Sequence, residues 1–126
     1  MTYDTSRGRM YIYSGVCGGN PPSGDGTHDA WYYTSSNNTW TRALSATNPG
    51  ARLDSAMAYD SVNDVIVLYG GLNPFSLTND TWHYSPSTNT WQQMATTGNP
   101  GLRGGHSMVY DSVNRKIVMF GGYQSY

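Results

Sequence analysis

The side chains that ordinarily carry chemistry are few in this chain, and their spacing rules out most of what they could do. Every one of the 8 acidic residues is Asp, and there are 3 His and a single Cys. Cys17, Asp25 and His28 share one stretch, Val16–His28. A reactive thiolate needs a neighbouring base or cation to lower its pKa. No such base can be assigned to Cys17, and a thiol in a glycine-flanked loop is the simpler reading. Zinc ligands come as Cys-x-x-Cys or as His pairs at helical spacing; His28, His83 and His106 show neither. No two Asp residues form an assignable general acid and base. Asp60 and Asp111 each follow a strand and open a turn, which suits capping of backbone N–H groups. The chain reads as non-catalytic, with no cofactor and no metal.

Binding is the chemistry that remains, and its candidates are Asp25, His28, Arg52, Arg103 and His106. The guanidinium fork of Arg52 or Arg103 could hold a carboxylate or sugar hydroxyls. The reading favoured for both is plainer: hydrogen bonds to loop carbonyls that tie one structural unit to the next.

The elements that must position these residues follow from composition. Glu is absent and Lys116 is the single Lys, while Tyr (11), Trp (4) and Gly (15) are abundant. Strong helix formers are thus scarce, and strand and turn formers dominate. The class is all-β. A net charge of −1 with scattered Arg leaves no basic stripe for nucleic acid or anionic lipid. No stretch is long and apolar enough to span a membrane as a helix, and the first residues lack the apolar core of a leader. A lone Cys excludes an internal disulfide. Few Lys, no Glu and many Thr, Asn and Tyr point to a secreted or cell-surface protein, with a cytoplasmic one as the alternative. Asn37-Asn38-Thr39 and Asn79-Asp80-Thr81 fit the glycosylation acceptor pattern, which arises readily by chance in such a composition.

A repeat organises the chain. Met57–Gly71 (MAYDSVNDVIVLYGG) returns at Met108–Gly122 (MVYDSVNRKIVMFGG) and opens the sequence at Met1–Gly15 (MTYDTSRGRMYIYSG). Tyr59 and Tyr110, Trp31 and Trp82, Trp40 and Trp91, and Arg52 and Arg103 are each 51 residues apart. A period near ~50 holding several short strands is that of a four-stranded propeller blade.

Strands are expected at Thr2–Asp4, Arg9–Ser14, Asp29–Tyr33 and Thr39–Leu44. A second set follows at Ser55–Asp60, Val65–Tyr69, Asp80–Ser85 and Thr90–Met94, and a third at His106–Asp111 and Lys116–Gly121. The glycine pairs Gly70-Gly71 and Gly121-Gly122 are expected to end their strands and to let a neighbouring backbone come close.

These marks together resemble the kelch repeat: Arg52 and Arg103 opening a first strand, the two glycine pairs, Trp31 and Trp82 on a third strand, and Trp40 and Trp91 on a fourth. Tyr59 and Tyr110 recur in phase with them. Ser14-Gly15 stands where the other copies have Gly-Gly, and Ser55 where the third has His106. The resemblance covers essentially the whole chain. It implies a partial β-propeller of kelch-type blades, each of four antiparallel strands, with blade 1 at 1–44, blade 2 at 52–94 and a half blade at 103–122. That makes about two and a half blades, where closed propellers use roughly four to eight. The large Trp side chains are expected to fill the wedge between blades.

An open arc leaves an unpartnered face at each end. At ~25 cal/mol/Å², a face of ~400 Å² would forfeit about 10 kcal/mol. Further blades, from the same or another chain, are therefore expected partners, and self-assembly into an oligomer is one route to them.

Strand parity places the second-to-third connections (Val16–His28; Leu72–Asn79) and the fourth-to-first connections (Ser45–Asp54; Ala95–Gly105) on one edge. Long connections are where binding residues gather. The leading expectation is a non-catalytic scaffold that binds a protein or glycan through this long-loop face. One alternative is a fragment of a propeller enzyme of the sugar oxidase or mutarotase kind; another is a structural element of an extracellular assembly.

Overall fold

In the computed structural model, which describes residues 1–15, 27–73 and 76–125, ten strands form three antiparallel sheets. The first sheet is β1 (Thr2–Asp4), β2 (Arg9–Gly15), β3 (Thr27–Thr34) and β4 (Thr39–Ala43), in chain order. The second repeats it with β5 (Ala56–Asp60), β6 (Val65–Leu72), β7 (Leu77–Ser85) and β8 (Thr90–Met94). The third is the pair β9 (Gly104–Asp111) and β10 (Lys116–Tyr123). No helix of the described residues is long and apolar enough to cross a membrane. The fold is all-β, with blades of a partial propeller.

One turn design closes the short connections. The last residue of each turn lies in the left-handed region: Gly8 (φ 63), Asn38 (55), Asp64 (54), Asn89 (55) and Arg115 (54). The first-to-second turns share a cap. Asp4 Oδ1 accepts the N–H groups of Ser6 (2.9 Å) and Arg7 (3.1 Å). Asp60 does the same for Val62 and Asn63, and Asp111 for Val113 and Asn114. A short carboxylate that binds its own backbone two and three residues on explains why Asp recurs there.

The glycine pairs differ from the sequence expectation. β6 and β10 do not end at them; both run through, and β6 shifts register between Tyr69 and Gly71. Left-handed backbone at Gly70 (φ 60) and Gly71 (φ 101) makes the bulge. Close approach is the second reason for glycine. A Cβ on Gly70 would stand 2.5 Å from the Arg103 carbonyl oxygen, and one on Gly71 2.6 Å from that of Leu53. Blade 1 manages the same bend with Ser14 (φ 56), whose hydroxyl accepts the Arg52 N–H at 3.0 Å.

The core is the seam between the two complete sheets. Tyr11, Tyr13, Ala30 and Ala43 of the first meet Met57, Tyr59, Ile66, Leu68, Trp82, Tyr84 and Trp91 of the second. Tyr11 packs on Tyr84 and Tyr13 on Trp91, with ring centroids 5.7 and 4.9 Å apart. Rings crossing at such angles are favourable beyond the area they bury. Trp82 and Trp91 thus fill the wedge as expected, but their counterparts do not. Trp40 is 48% exposed and Trp31 only half-buried. Alternation puts both on the far side of blade 1, away from blade 2, where no sheet of the described residues lies.

Candidate functional site

The connections after β4 and β8 sit on one edge of the blades, and hydrogen bonds fix their shape. Arg52 is the centre of this framework. Its guanidinium is buried and clasps Asp80 of β7 with both Nη atoms, at 2.8 and 3.0 Å. It also donates to the carbonyls of Gly70 (3.0 Å) and Pro49. Trp82 Nε1 donates to the same Asp80 carboxylate at 2.6 Å. Burial pushes the Asp80 carboxyl up, but donation from Arg52 and Trp82 outweighs it and holds the group below the usual carboxylate range.

Two tyrosines extend the framework with the repeat's period. Tyr13 donates to the Gly50 carbonyl and Tyr69 to the Gly101 carbonyl, each at 2.9 Å. The loops after β4 and β8 are thereby fastened to the second strand of the blade that precedes each, β2 and β6. A surface held in this way loses little conformational freedom when something binds it.

Arg103 repeats part of the arrangement. It donates to the Gly121 carbonyl at 2.6 Å and to that of Pro100 at 3.1 Å, as Arg52 does to Gly70 and Pro49. Among the described residues no carboxylate pairs with it. Its backbone joins blade 2 to the half blade: Gly71 donates to the Arg103 carbonyl (2.8 Å), and the Arg103 N–H to that of Thr78 (3.1 Å).

The remaining sequence candidates are spread out. His106 is buried, its ring edge-on to Tyr69 at 5.7 Å between centroids. Burial and then the nearby Arg103 charge push it below the ordinary histidine value. His28 is exposed at the start of β3. Asp25 and Cys17 lie outside the described residues, as does most of the Val16–His28 loop. Of the repeat signature, the Tyr59 hydroxyl donates to Asp64 and is hydrogen-bonded to the Ser6 hydroxyl, both at 2.8 Å, and Tyr110 is half-buried with Asp60 beside it. The four binding candidates among the described residues therefore do not converge. Arg103 and His106 are neighbours at the second seam, Arg52 lies inside the framework, and His28 is at the outer rim.

Residues absent from that candidate set complete the picture. Asp29 accepts from Trp31 Nε1 (2.9 Å) and pairs with Arg42 Nε (3.1 Å), reproducing the Asp80–Trp82–Arg52 corner with an arginine from β4. Asp29 and Asp80 recur at the repeat period, each two residues before a Trp, and this was the available signal. A cleft of about 90 Å³ opens beside Asp29, lined also by His28, Arg42, Ser45, Asn48 and Trp91. It holds a cation, an anion and amide and hydroxyl groups at the outer rim where blade 1 meets blade 2. Among the described residues no cluster of three His, Cys, Asp or Glu could hold a metal ion.

Comparison with known proteins places these features. A family model described as the KLHDC2/KLHL20/DRC7 Kelch-repeats domain matches residues 1–126. The chain is also 33% identical over 67 residues to Mei4-dependent protein 6 of Schizosaccharomyces pombe (strain 972 / ATCC 24843). That match covers 53% of this chain and 10% of the relative, so the chain spans a small part of the relative's length.

Proposed function

The chain belongs to the Kelch-repeat family, and on that premise we propose that it is a non-catalytic interaction scaffold that holds a protein partner on its long-loop face. The observation that carries this reading is the buried Arg52 corner. One guanidinium fixes the loop at Pro49, the bulge at Gly70 and the strand at Asp80 together. On this edge Arg42 near the end of β4 and Leu44, Asp54 and Leu102 of the connecting loops are exposed. That mixture of apolar and charged side chains suits a protein surface, since apolar anchors and a charged rim are what such interfaces use. The short-turn edge offers turns closed on their own Asp caps, and its carboxylates are already engaged.

The test compares the two edges. Leu102→Glu with Arg42→Glu alters the long-loop face; Val62→Glu with Val113→Glu alters the short-turn edge, where both residues are exposed. Each variant and the parent chain would be used for affinity capture, with bound proteins quantified by mass spectrometry. Loss of the parent's specific partners in the long-loop variant alone is the expected result. Loss only in the short-turn variant would assign binding to the other edge and sink the proposal.

A further inference from the structure

Trp31 and Trp82 each donate an indole N–H to a carboxylate, at 2.9 Å to Asp29 and at 2.6 Å to Asp80. Trp91 does not. It is 6% exposed, with Tyr13 and Tyr84 packed on its ring at 4.9 and 5.0 Å between centroids. No group among the described residues accepts from its Nε1. A buried indole N–H ordinarily finds a partner. Trp91 lines the cleft beside Asp29 and Asn48, so the missing acceptor is to be sought in what fills that cleft.

The neighbouring groups narrow what that is. Asn48 Oδ1 accepts the Gly50 N–H at 2.9 Å, which leaves its Nδ2 end as the donor. Arg42 meets Asp29 through Nε at 3.1 Å, and the two charges cancel. The Asp29 carboxylate holds Trp31 and Arg42 on Oδ2 and has capacity for a further N–H, since each oxygen offers two acceptor sites. Size is the next constraint. A cavity of ~150 Å³ takes up one benzene molecule, so a cleft of about 90 Å³ suits a group smaller than a six-membered ring. A carboxylate there would meet the charge of Asp29, and an ammonium or guanidinium that of Arg42. A neutral planar group with an acceptor beside a donor meets neither penalty.

We propose that this cleft receives a side-chain carboxamide, from a glutamine or an asparagine of the protein partner. The amide oxygen accepts from Trp91 Nε1 and Asn48 Nδ2, and the amide nitrogen donates to Asp29. A small, fully used polar pocket of this kind selects by the groups it would otherwise leave unpaired. The inference rests on the scaffold reading for the source of the amide. The preference of the cleft for a carboxamide is measurable with no partner present.

The probes are capped tripeptides with glutamine or asparagine between two glycines, and the matching glutamate and lysine peptides. Each is titrated into the 126-residue chain, and the Trp91 indole N–H is followed in proton–nitrogen NMR spectra. A saturable shift of that resonance is expected with a carboxamide peptide. The glutamate and lysine peptides should bind on the order of tenfold more weakly, each having an uncompensated charge in the cleft. Asp29→Asn in the chain should weaken the carboxamide peptide by a similar factor, through loss of a charge-assisted acceptor. The comparison among peptides keeps the test valid if Asp29→Asn disturbs β3. Equal affinity of the four peptides, tighter binding of N-acetylglucosamine, or an unmoved Trp91 resonance up to ~50 mM would overturn the proposal. An unmoved resonance beside partners lost in the long-loop variant would sink the cleft alone. Carboxamide binding with no partner lost in that variant would instead sink the scaffold reading, and with it the partner as the source of the amide.

Discussion

The two seams between blades are cut from the same repeat and held by different chemistry. In the first, side chains meet: Tyr11 and Tyr13 pack against Tyr84 and Trp91, and Arg7 reaches across to Asp64 with two 2.6 Å bonds. In the second, backbones meet: Gly71 bonds Arg103, Arg103 bonds Thr78, and the Gly105 N–H reaches the Asp54 carbonyl at 2.9 Å. The cause lies in residue size. Blade 1 turns Tyr11 and Tyr32 towards its neighbour, while blade 2 turns Val67 and His83 at the same repeat positions, with Ala56 and Ala58 on β5. Rings hold two sheets apart and fill the wedge; small residues let the next strand close in until its main chain is within reach. Glycine is then needed at the point of contact.

The largest effect should come from the aromatic seam. Trp91 is 6% exposed and Trp40, its counterpart, 48%. Trp91→Ala should cost ~3–5 kcal/mol as a buried aromatic truncation. Trp40→Ala, on a face with no neighbouring sheet among the described residues, should cost under about 1 kcal/mol, as surface changes do. Urea unfolding of both variants measures the difference. Equal losses would mean that Trp40 is covered in solution, and that blade 1 has a neighbour on its outer side.

The backbone seam is broken by a single methyl group. Gly70→Ala places a Cβ against the Arg103 carbonyl and strains a left-handed position, so a cost of about 2–4 kcal/mol is expected from the two effects together. Gly121 has the same conformation with no atom within 4 Å of its would-be Cβ. Gly121→Ala should therefore lose only the conformational part, about 1–2 kcal/mol. The gap between the two variants isolates the contact from the backbone angle. Its absence would show that the half blade does not dock on blade 2 as described.

Much of this could be read from the sequence, and the parts that could not share a reason. Period, strand order and the edge on which the long loops gather follow from residues that recur, such as Tyr59 and Tyr110 or Arg52 and Arg103. The direction in which a recurring residue faces a neighbour does not. Trp31 and Trp82 are the same residue of the repeat, yet one looks into the core and the other away from blade 2, because burial depends on which sheet stands alongside. The glycine pair read as a strand end, since glycine weakens strands, whereas its carbonyls accept from Arg52 and Thr78, the Gly71 N–H donates to the Arg103 carbonyl, and the strand continues. The carboxylate that completes the Arg52 corner comes from Asp80 on another strand. Its recurrence two residues before Trp was legible; its partner was not.

The smallest prediction separates the seams by pH. His106 belongs to the second, packed on Tyr69 with Arg103 as the charge beside it, and among the described residues no histidine belongs to the buried cluster of the first. Burial and Arg103 depress its folded pKa below the ~6.5 of the unfolded chain. Between those two values the unfolded state binds the extra proton, so stability falls as pH drops below ~6.5, by at most about 1.4 kcal/mol per pH unit. His83, which burial also depresses, adds to the same slope. His106→Phe keeps a ring against Tyr69 and should remove its share of the pH dependence, leaving that of His83. Carboxylates such as Asp80, held low by Arg52, act only in more acid solution, where protonation removes their stabilising charge. Hydrogen exchange at pH 7.5 and 5.5 should accordingly loosen Gly104–Asp111 before the strands of the aromatic seam. A slope unchanged by His106→Phe would mean that this imidazole reaches water, and that the backbone seam is the one that opens.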